Sequence, residues 1–320
     1  LFAPATSTEV ESVRAEWASR NVTPEDVQVD GEEPFALGSV DATLRILSHA
    51  IDGGRHYGAV VVPDGAEAAS LPVVVYAHGG DQGVDTDDLA LLGFVLGDAL
   101  ADFVWVVPSF RAETLRTGDG VWPSGGQPSP WDRDVDDALS FLNAALGVTP
   151  AADPGRLGVL GLSRGAGVGL LMAIRDDRID RVVEFFGPTD FFGPFVQGVV
   201  SDAIEGNLRD LPGLSVLDQR FIQPLAQGVL TPAEVRPELV RRSAVLFASD
   251  LPVVQIHHGA ADDVVDVSQA EALAAALEAL DRGPPDDEFF RYESGGHNPL
   301  SLSGSVTRAV EFLGVLTGPE

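Results

Sequence analysis

Apolar residues along this chain follow two rhythms. Unbroken runs such as LPVVVYAHG (Leu71–Gly79), FVWVVPSF (Phe103–Phe110), RLGVLGLS (Arg156–Ser163), RVVEFFG (Arg181–Gly187), LPVVQIHHG (Leu251–Gly259) and the more polar DEFFRYES (Asp287–Ser294) read as strands covered on both faces. Upstream of them, TLRILSHAI and HYGAVVVPD alternate, which predicts an antiparallel pair at the sheet edge. Helical spacing fills the intervals. PWDRDVDDALSFLNAAL sets Val135, Leu139, Leu142 and Leu146 on one face, and further helices are expected directly after Ser163, over Ser268–Leu280 and over Ser305–Leu316. SPWD at Ser129 and TPAE at Thr231 combine a hydroxyl cap, a proline and an acid three residues on, as a helix start requires. Strand and helix in alternation predict an α/β fold with a mostly parallel central sheet flanked by helices.

The rhythm breaks between Gly187 and Leu251, so residues 188–250 read as a helical cap inserted into one domain spanning 1–320, with 1–38 as an N-terminal extension. In an open α/β sheet such an insertion lies over the carboxyl ends of the strands, where ligands bind. No fixed-period repeat competes with this reading.

Charge narrows the partners. Twenty basic residues, all arginine, face 49 acidic ones, a formal net charge of −29. That field repels nucleic acid and anionic membranes and suits adaptation to high salt, where screening relieves the self-repulsion. A GC-rich genome would remove lysine without creating the acidic excess. The apolar runs LALLGFVLGDAL from Leu89 and VGLLMAI from Val168 fall short of the roughly 18 residues of a membrane span. The chain opens on Leu1 and its one methionine is Met172, from which processing, and a secreted or periplasmic location, is the expectation. Cysteine is absent, which removes disulfides, thiolate metal sites and a cysteine nucleophile. Oligomeric state is not legible.

One short stretch carries chemistry. GVLGLSRGAG, from Gly158 to Gly167, sets Ser163 between Gly161 and Gly165, where a strand meets a helix rich in small residues. A serine on such a strained turn tolerates only small neighbours two positions away. Its hydroxyl needs a base, and the base needs an acid to hold it. HHGAADDVVDVSQA and YESGGHNPL follow the last two strands, so Asp262 or Asp263 and then His297 fall in loops at the carboxyl edge, in the order Ser, Asp, His. His257 and His258 beside these acids evoke a metal site, but adjacent strand residues point to opposite faces, and no metal is expected. DQGVDTDD lacks the sixth-position glycine and the closing glutamate of an EF-hand calcium loop. Phe191, Phe192 and Phe195, in FFGPTDFFGPF, are candidates either to wall a substrate pocket or to join cap to core.

AHGG, DPGRLGVLGLSRGAG, HHGAADDVV and GGH together resemble the α/β-hydrolases, in particular prolyl oligopeptidase-like and dienelactone hydrolase-like enzymes, from about Leu71 onward. The resemblance implies that Asp262, fifth in H-G-x-x-D-x-x-V with Val265 completing it, is the acid. It also implies that the oxyanion donors are the amide of Arg164 and one from the loop His78–Asp81, Gly80 or Asp81, with His78 bracing that loop. The guanidinium of Arg164 is a lesser candidate for binding a substrate carboxylate. Two departures stand out: dienelactone hydrolases carry cysteine where this chain has Ser163, and the oligopeptidases carry a propeller for which 320 residues leave no room. The expectation is a cofactor-free serine esterase acting on a small-molecule ester, with a peptidase as alternative and a non-catalytic binding protein behind it. The acidic field should also favour the protonated form of His297 at low salt.

Overall fold

The structure, a computed structural model, describes residues 1–89 and 97–318. Most of the apolar run from Leu89 therefore lies outside the described residues. In chain order the strands are β1 (Glu25–Leu37), β2 (Val40–Ile51), β3 (Gly54–Pro63), β4 (Leu71–Ala77), β5 (Val84–Asp85), β6 (Val104–Pro108), β7 (Thr114–Arg116), β8 (Val121–Pro123), β9 (Ala152–Leu162), β10 (Ile179–Phe185), β11 (Val253–Gly259) and β12 (Glu288–Tyr292). Nine of them form one sheet in the order β1-β2-β3-β6-β4-β9-β10-β11-β12. From β6 to β12 every neighbour is parallel; β1, β2 and β3 close the other edge antiparallel.

The six apolar runs are all strands of this sheet, and five of them are covered twice; the sixth, β12, expected to be covered as well, is the half-exposed edge strand, as its more polar sequence allows. Val73, Val75 and Ala77 of β4 enter one core and Val74 and Tyr76 the other, so alternation along the strand leaves no solvent face. Helices Arg133–Val148 and Arg164–Arg175 fill the first core, and Ser305–Gly314 packs into the second through Ala309, Phe312 and Leu313. TLRILSHAI and HYGAVVVPD are the antiparallel partners β2 and β3.

Some boundaries differ from the sequence reading. Helix Arg133–Val148 starts later than SPWD implies: Asp132 is its N-cap, and Ser129 and Asp134 instead organise the turn before it, Asp134 accepting the Trp131 N–H. Thr231 does form a reciprocal capping box with Glu234. Residues 25–37, read as part of an N-terminal extension, are β1 of the main sheet, paired with β2. Their acidic, half-exposed sequence hides them, since an edge strand with one wet face needs few apolar residues. The helix Ser7–Ser19 packs Trp17 on Phe247 at 4.7 Å, and its Glu9 and Glu16 pair with Arg236 and Arg241.

Between β10 and β11 the chain forms the helices Pro194–Ile204 and Pro232–Val240, with short turns between. This segment meets the loop after β4 where the Gly213 N–H donates to Asp81 Oδ2 at 3.1 Å. The segment 188–250 thus touches the loop at the carboxyl end of β4.

Four buried histidines shape acid stability. Burial lowers the pKa of His49, His78 and His257 to about 3 and of His56 to about 4. Unfolded imidazoles bind protons from pH 6.5 downward while these cannot, which costs stability as pH falls, at about 1.4 kcal/mol per pH unit for each group. Burial acts oppositely on three acids, raising Glu113 and Glu184 to about 7 and Asp137 to about 6; folded, they hold protons that unfolded carboxyls release above about 4.5. Between pH 6.5 and 4.5 the three acids cancel most of the loss from the four histidines and leave about one group unopposed, roughly 1.4 kcal/mol per pH unit. Below that the raised acids no longer compensate, while the histidines and depressed carboxyls such as Asp132, at about 2, still favour unfolding. Thermal melts should show a shallow fall in midpoint from pH 6.5 to 4.5 and a steeper one below; a slope as steep above pH 4.5 as beneath it would contradict this.

Candidate active site

Strand β9 ends at Leu162 and the helix begins at Arg164, so Ser163 alone makes the turn, with φ 53° and ψ −120°. Few non-glycine residues adopt this region without strain. The glycines two away are demanded by contact: a Cβ on Gly161 would lie 2.5 Å from Ala166 Cα, and one on Gly165 would run into the Ala77 carbonyl. Ser163 is thereby lifted to the sheet's carboxyl edge, its N–H donating to the Phe185 carbonyl at 2.9 Å.

The other two side chains arrive from the loops after β11 and β12. These loops touch because a Cβ on Gly259 would collide with the backbone of Gly295. Ala261 N–H donates to the Gly295 carbonyl at 2.9 Å. His297 Nε2 lies 2.9 Å from Ser163 Oγ and its Nδ1 lies 2.8 Å from Asp262 Oδ2. Asp262 Oδ1 accepts the N–H groups of Val264 and Val265, each at 2.9 Å. Against its burial, which acts the other way, hydrogen bonds from His258 and His297 and the His297 charge hold its carboxyl well below the usual carboxylate range. Asp263, the other acid weighed, is exposed and takes no part. His257 and His258 leave β11 on opposite faces: His257 reaches Tyr292 and Gln255, and His258 approaches Asp262.

The loop after β4 is fastened from beneath. The His78 ring stacks on Phe110 at 4.4 Å and its Nδ1 lies 2.9 Å from the Gly79 carbonyl. Arg164 Nη1 donates to the Gly80 carbonyl at 3.1 Å. In a trans peptide the N–H points opposite the preceding carbonyl, so anchoring these two carbonyls inward turns the N–H groups of Gly80 and Asp81 away from the buried arginine. The Arg164 N–H, first in its helix, has no intrahelical acceptor.

The Arg164 guanidinium does not face a substrate. It is buried, bound by Asp134 Oδ2 from Nε and Nη2 at 3.0 and 2.7 Å, paired with Glu113 and set over Phe110. With its donors spent there, the expectation that it binds a substrate carboxylate is corrected. Sequence reasoning also missed Asp134 and Glu113. Asp134 looked like an ordinary first-turn acid, and the one available signal was that DRDVDD carries more acids than a core-facing helix can keep in water.

Of the three phenylalanines, Phe191 and Phe195 line an apolar cavity of about 90 Å³ with Trp131, Pro188, Leu214 and Leu239. Phe192 is not among its walls and packs against the Arg236 guanidinium at 5.3 Å. Neither Ser163 nor His297 borders the cavity.

No family model and no curated protein matches the sequence. Solved structures do match its fold. Acetyl xylan esterase 1 from a Thermoanaerobacterium species superposes with a TM-score of 0.64 at 17% identity, over 98% of this chain and 95% of that one. An S-formylglutathione hydrolase from Agrobacterium tumefaciens gives 0.56 at 17% identity, over 91% of this chain and 100% of that one. This chain has the α/β-hydrolase fold. A puromycin-hydrolyzing peptidase of Mycobacterium tuberculosis shares the fold, with a TM-score of 0.59 at 18% identity over 92% of this chain but 46% of its own length. Within the α/β-hydrolase fold, the turn after β9 and the loops after β11 and β12 are the places where Ser163, Asp262 and His297 meet.

Proposed function

We propose that this protein is a serine hydrolase that cleaves carboxylic esters through an acyl-enzyme. The unbroken hydrogen-bond chain from Ser163 through His297 to Asp262 carries this reading. In it, His297 Nε2 takes the Ser163 proton as Oγ attacks the ester carbonyl, and Asp262 steadies the imidazolium that forms. The oxyanion is met by the Arg164 N–H and by that of Gly80 or Asp81, donors aimed in advance and worth a few kcal/mol each. His297 then protonates the leaving alcohol, and water, activated by the same imidazole, releases the acid.

Esters are favoured over peptides because the match to an acetyl xylan esterase runs the length of both chains, whereas the peptidase match uses less than half of the peptidase. A short acyl group is favoured because the apolar cavity of the 188–250 segment does not border Ser163. Assay with p-nitrophenyl esters of rising chain length beside aminoacyl anilides tests both points. Acetate should exceed octanoate by about tenfold or more in kcat/KM, since extra methylenes without a pocket forfeit binding, and anilides should be turned over poorly. Faster cleavage of the anilides would replace the esterase reading with a peptidase.

A further inference from the structure

The acyl-transfer scheme gives Trp131 no part, yet the chain is built closely around it. The residue is buried and takes φ 55°, a backbone conformation that strains a bulky side chain. Its N–H donates to Asp134 Oδ2 and its indole Nε1 to the Arg164 carbonyl, both at 3.1 Å. Phe191 packs edge-on to the ring at 5.4 Å. The nucleophile's helix is bare where the ring crosses it, since a Cβ on Gly167 would lie 2.8 Å from Trp131 Cδ1.

The far edge of the indole reaches the 188–250 segment. A Cβ on Gly213 would lie 3.5 Å from Trp131 Cζ3 and 2.8 Å from Pro130 Cγ, and the N–H of this same Gly213 donates to Asp81 Oδ2. One ring therefore runs from the start of the nucleophile's helix to the residue that tethers the loop after β4. These are the two elements whose N–H groups are proposed to meet the oxyanion. The ring is also a wall of the apolar cavity of about 90 Å³, with Phe191, Val199 and Leu214 among its other walls. A cavity so lined takes hydrocarbon and leaves a polar group without a partner.

We propose that Trp131 is a specificity-determining residue: its indole is the partition that closes the apolar cavity off from the acyl end of the substrate and so confines the acyl group to a short one. The inference deepens the esterase reading and rests on it. An acyl carbonyl met by the Arg164 N–H and by that of Gly80 or Asp81 is bounded by the same two elements that the ring joins. With the indole in place, a longer chain meets a wall there. Without it, the vacated space connects with a cavity that favours hydrocarbon.

The test compares kcat/KM for p-nitrophenyl acetate and octanoate in the wild type and in variants. Trp131→Ala should lower the acetate-to-octanoate ratio by about tenfold or more; Trp131→Leu, which leaves more of the core filled, takes its place if the alanine variant does not fold. Adding Val199→Phe, which fills the cavity from the helix Pro194–Ile204, should restore the ratio. Trp131→Phe keeps a ring in the partition but gives up the bond to the Arg164 carbonyl, so kcat should fall for both esters while their ratio stays near that of the wild type. A ratio unmoved in the folded alanine or leucine variant overturns the inference. So does a lowered ratio that Val199→Phe fails to restore, because the longer chain would then lie elsewhere, and so does a phenylalanine variant whose ratio falls as far as alanine's. A wild type that cleaves neither ester overturns the esterase reading and this inference together, whereas cleavage of acetate with an unmoved ratio overturns this inference alone.

Discussion

Replacing Ser163 by alanine is expected to lower kcat for p-nitrophenyl acetate by on the order of 10⁵-fold while leaving the fold intact. The loss is large because among the described residues no other hydroxyl bonds the base: His297 Nε2 has Ser163 Oγ as its partner at 2.9 Å. Stability should respond in the opposite sense. Ser163 sits at φ 53° and ψ −120°, a conformation that costs a residue with a Cβ about 1–3 kcal/mol. Ser163→Gly removes that strain and gives some back as backbone entropy of the unfolded chain, so a net gain of about 1 kcal/mol is expected in urea melts, with activity lost as in the alanine variant. Equal stability of the alanine and glycine variants would mean that the turn is not strained.

Arg164→Met is the second large effect, and it acts on the loop as well as on the fold. Without the guanidinium, Asp134 and Glu113 face each other buried and unpaired, which should destabilise the protein by about 3–5 kcal/mol. Because both carboxyls already have raised pKa values through burial, the loss should shrink toward acid pH as they take up protons. The same change frees the Gly80 carbonyl, so kcat should fall by about 10²-fold or more even where the variant is fully folded. Arg164→Met combined with Asp134→Asn and Glu113→Gln removes the unpaired charge and should recover much of the stability, but not kcat. Recovery of both would make Arg164 a structural residue only.

The strands and the turn at Ser163 were legible because each depends on local pattern. β4, β6, β9, β10 and β11 announce themselves as apolar runs, and Gly161 and Gly165 stand where the turn at Ser163 tolerates no side chain. His297 was legible by position as the one histidine beyond Asp262. What escaped depends on distant partners. β1 is an edge strand whose acidic face gives no hydrophobic signal. The Arg164 guanidinium reads as free to meet a substrate until Asp134 and Glu113, 30 and 51 residues earlier in the chain, are seen beneath it. Glu184, one acid in an apolar strand, offered a hint, since a carboxyl there must be buried; that it lies on the same face as His258 follows only from the register of β10 on β11. The helices of residues 188–250 were expected from a broken rhythm, but nothing in it showed that Phe192 would turn to Arg236 and away from the cavity.

Convergence of Ser163, His297 and Asp262 into one proton-passing unit is tested most directly by mapping a fluorophosphonate adduct by mass spectrometry on the folded protein at neutral pH. The expected result is a single adduct on the peptide containing Ser163, absent from Ser163→Ala and formed at least about 10³-fold more slowly in His297→Ala. An adduct on another residue, or undiminished labelling without His297, would contradict it.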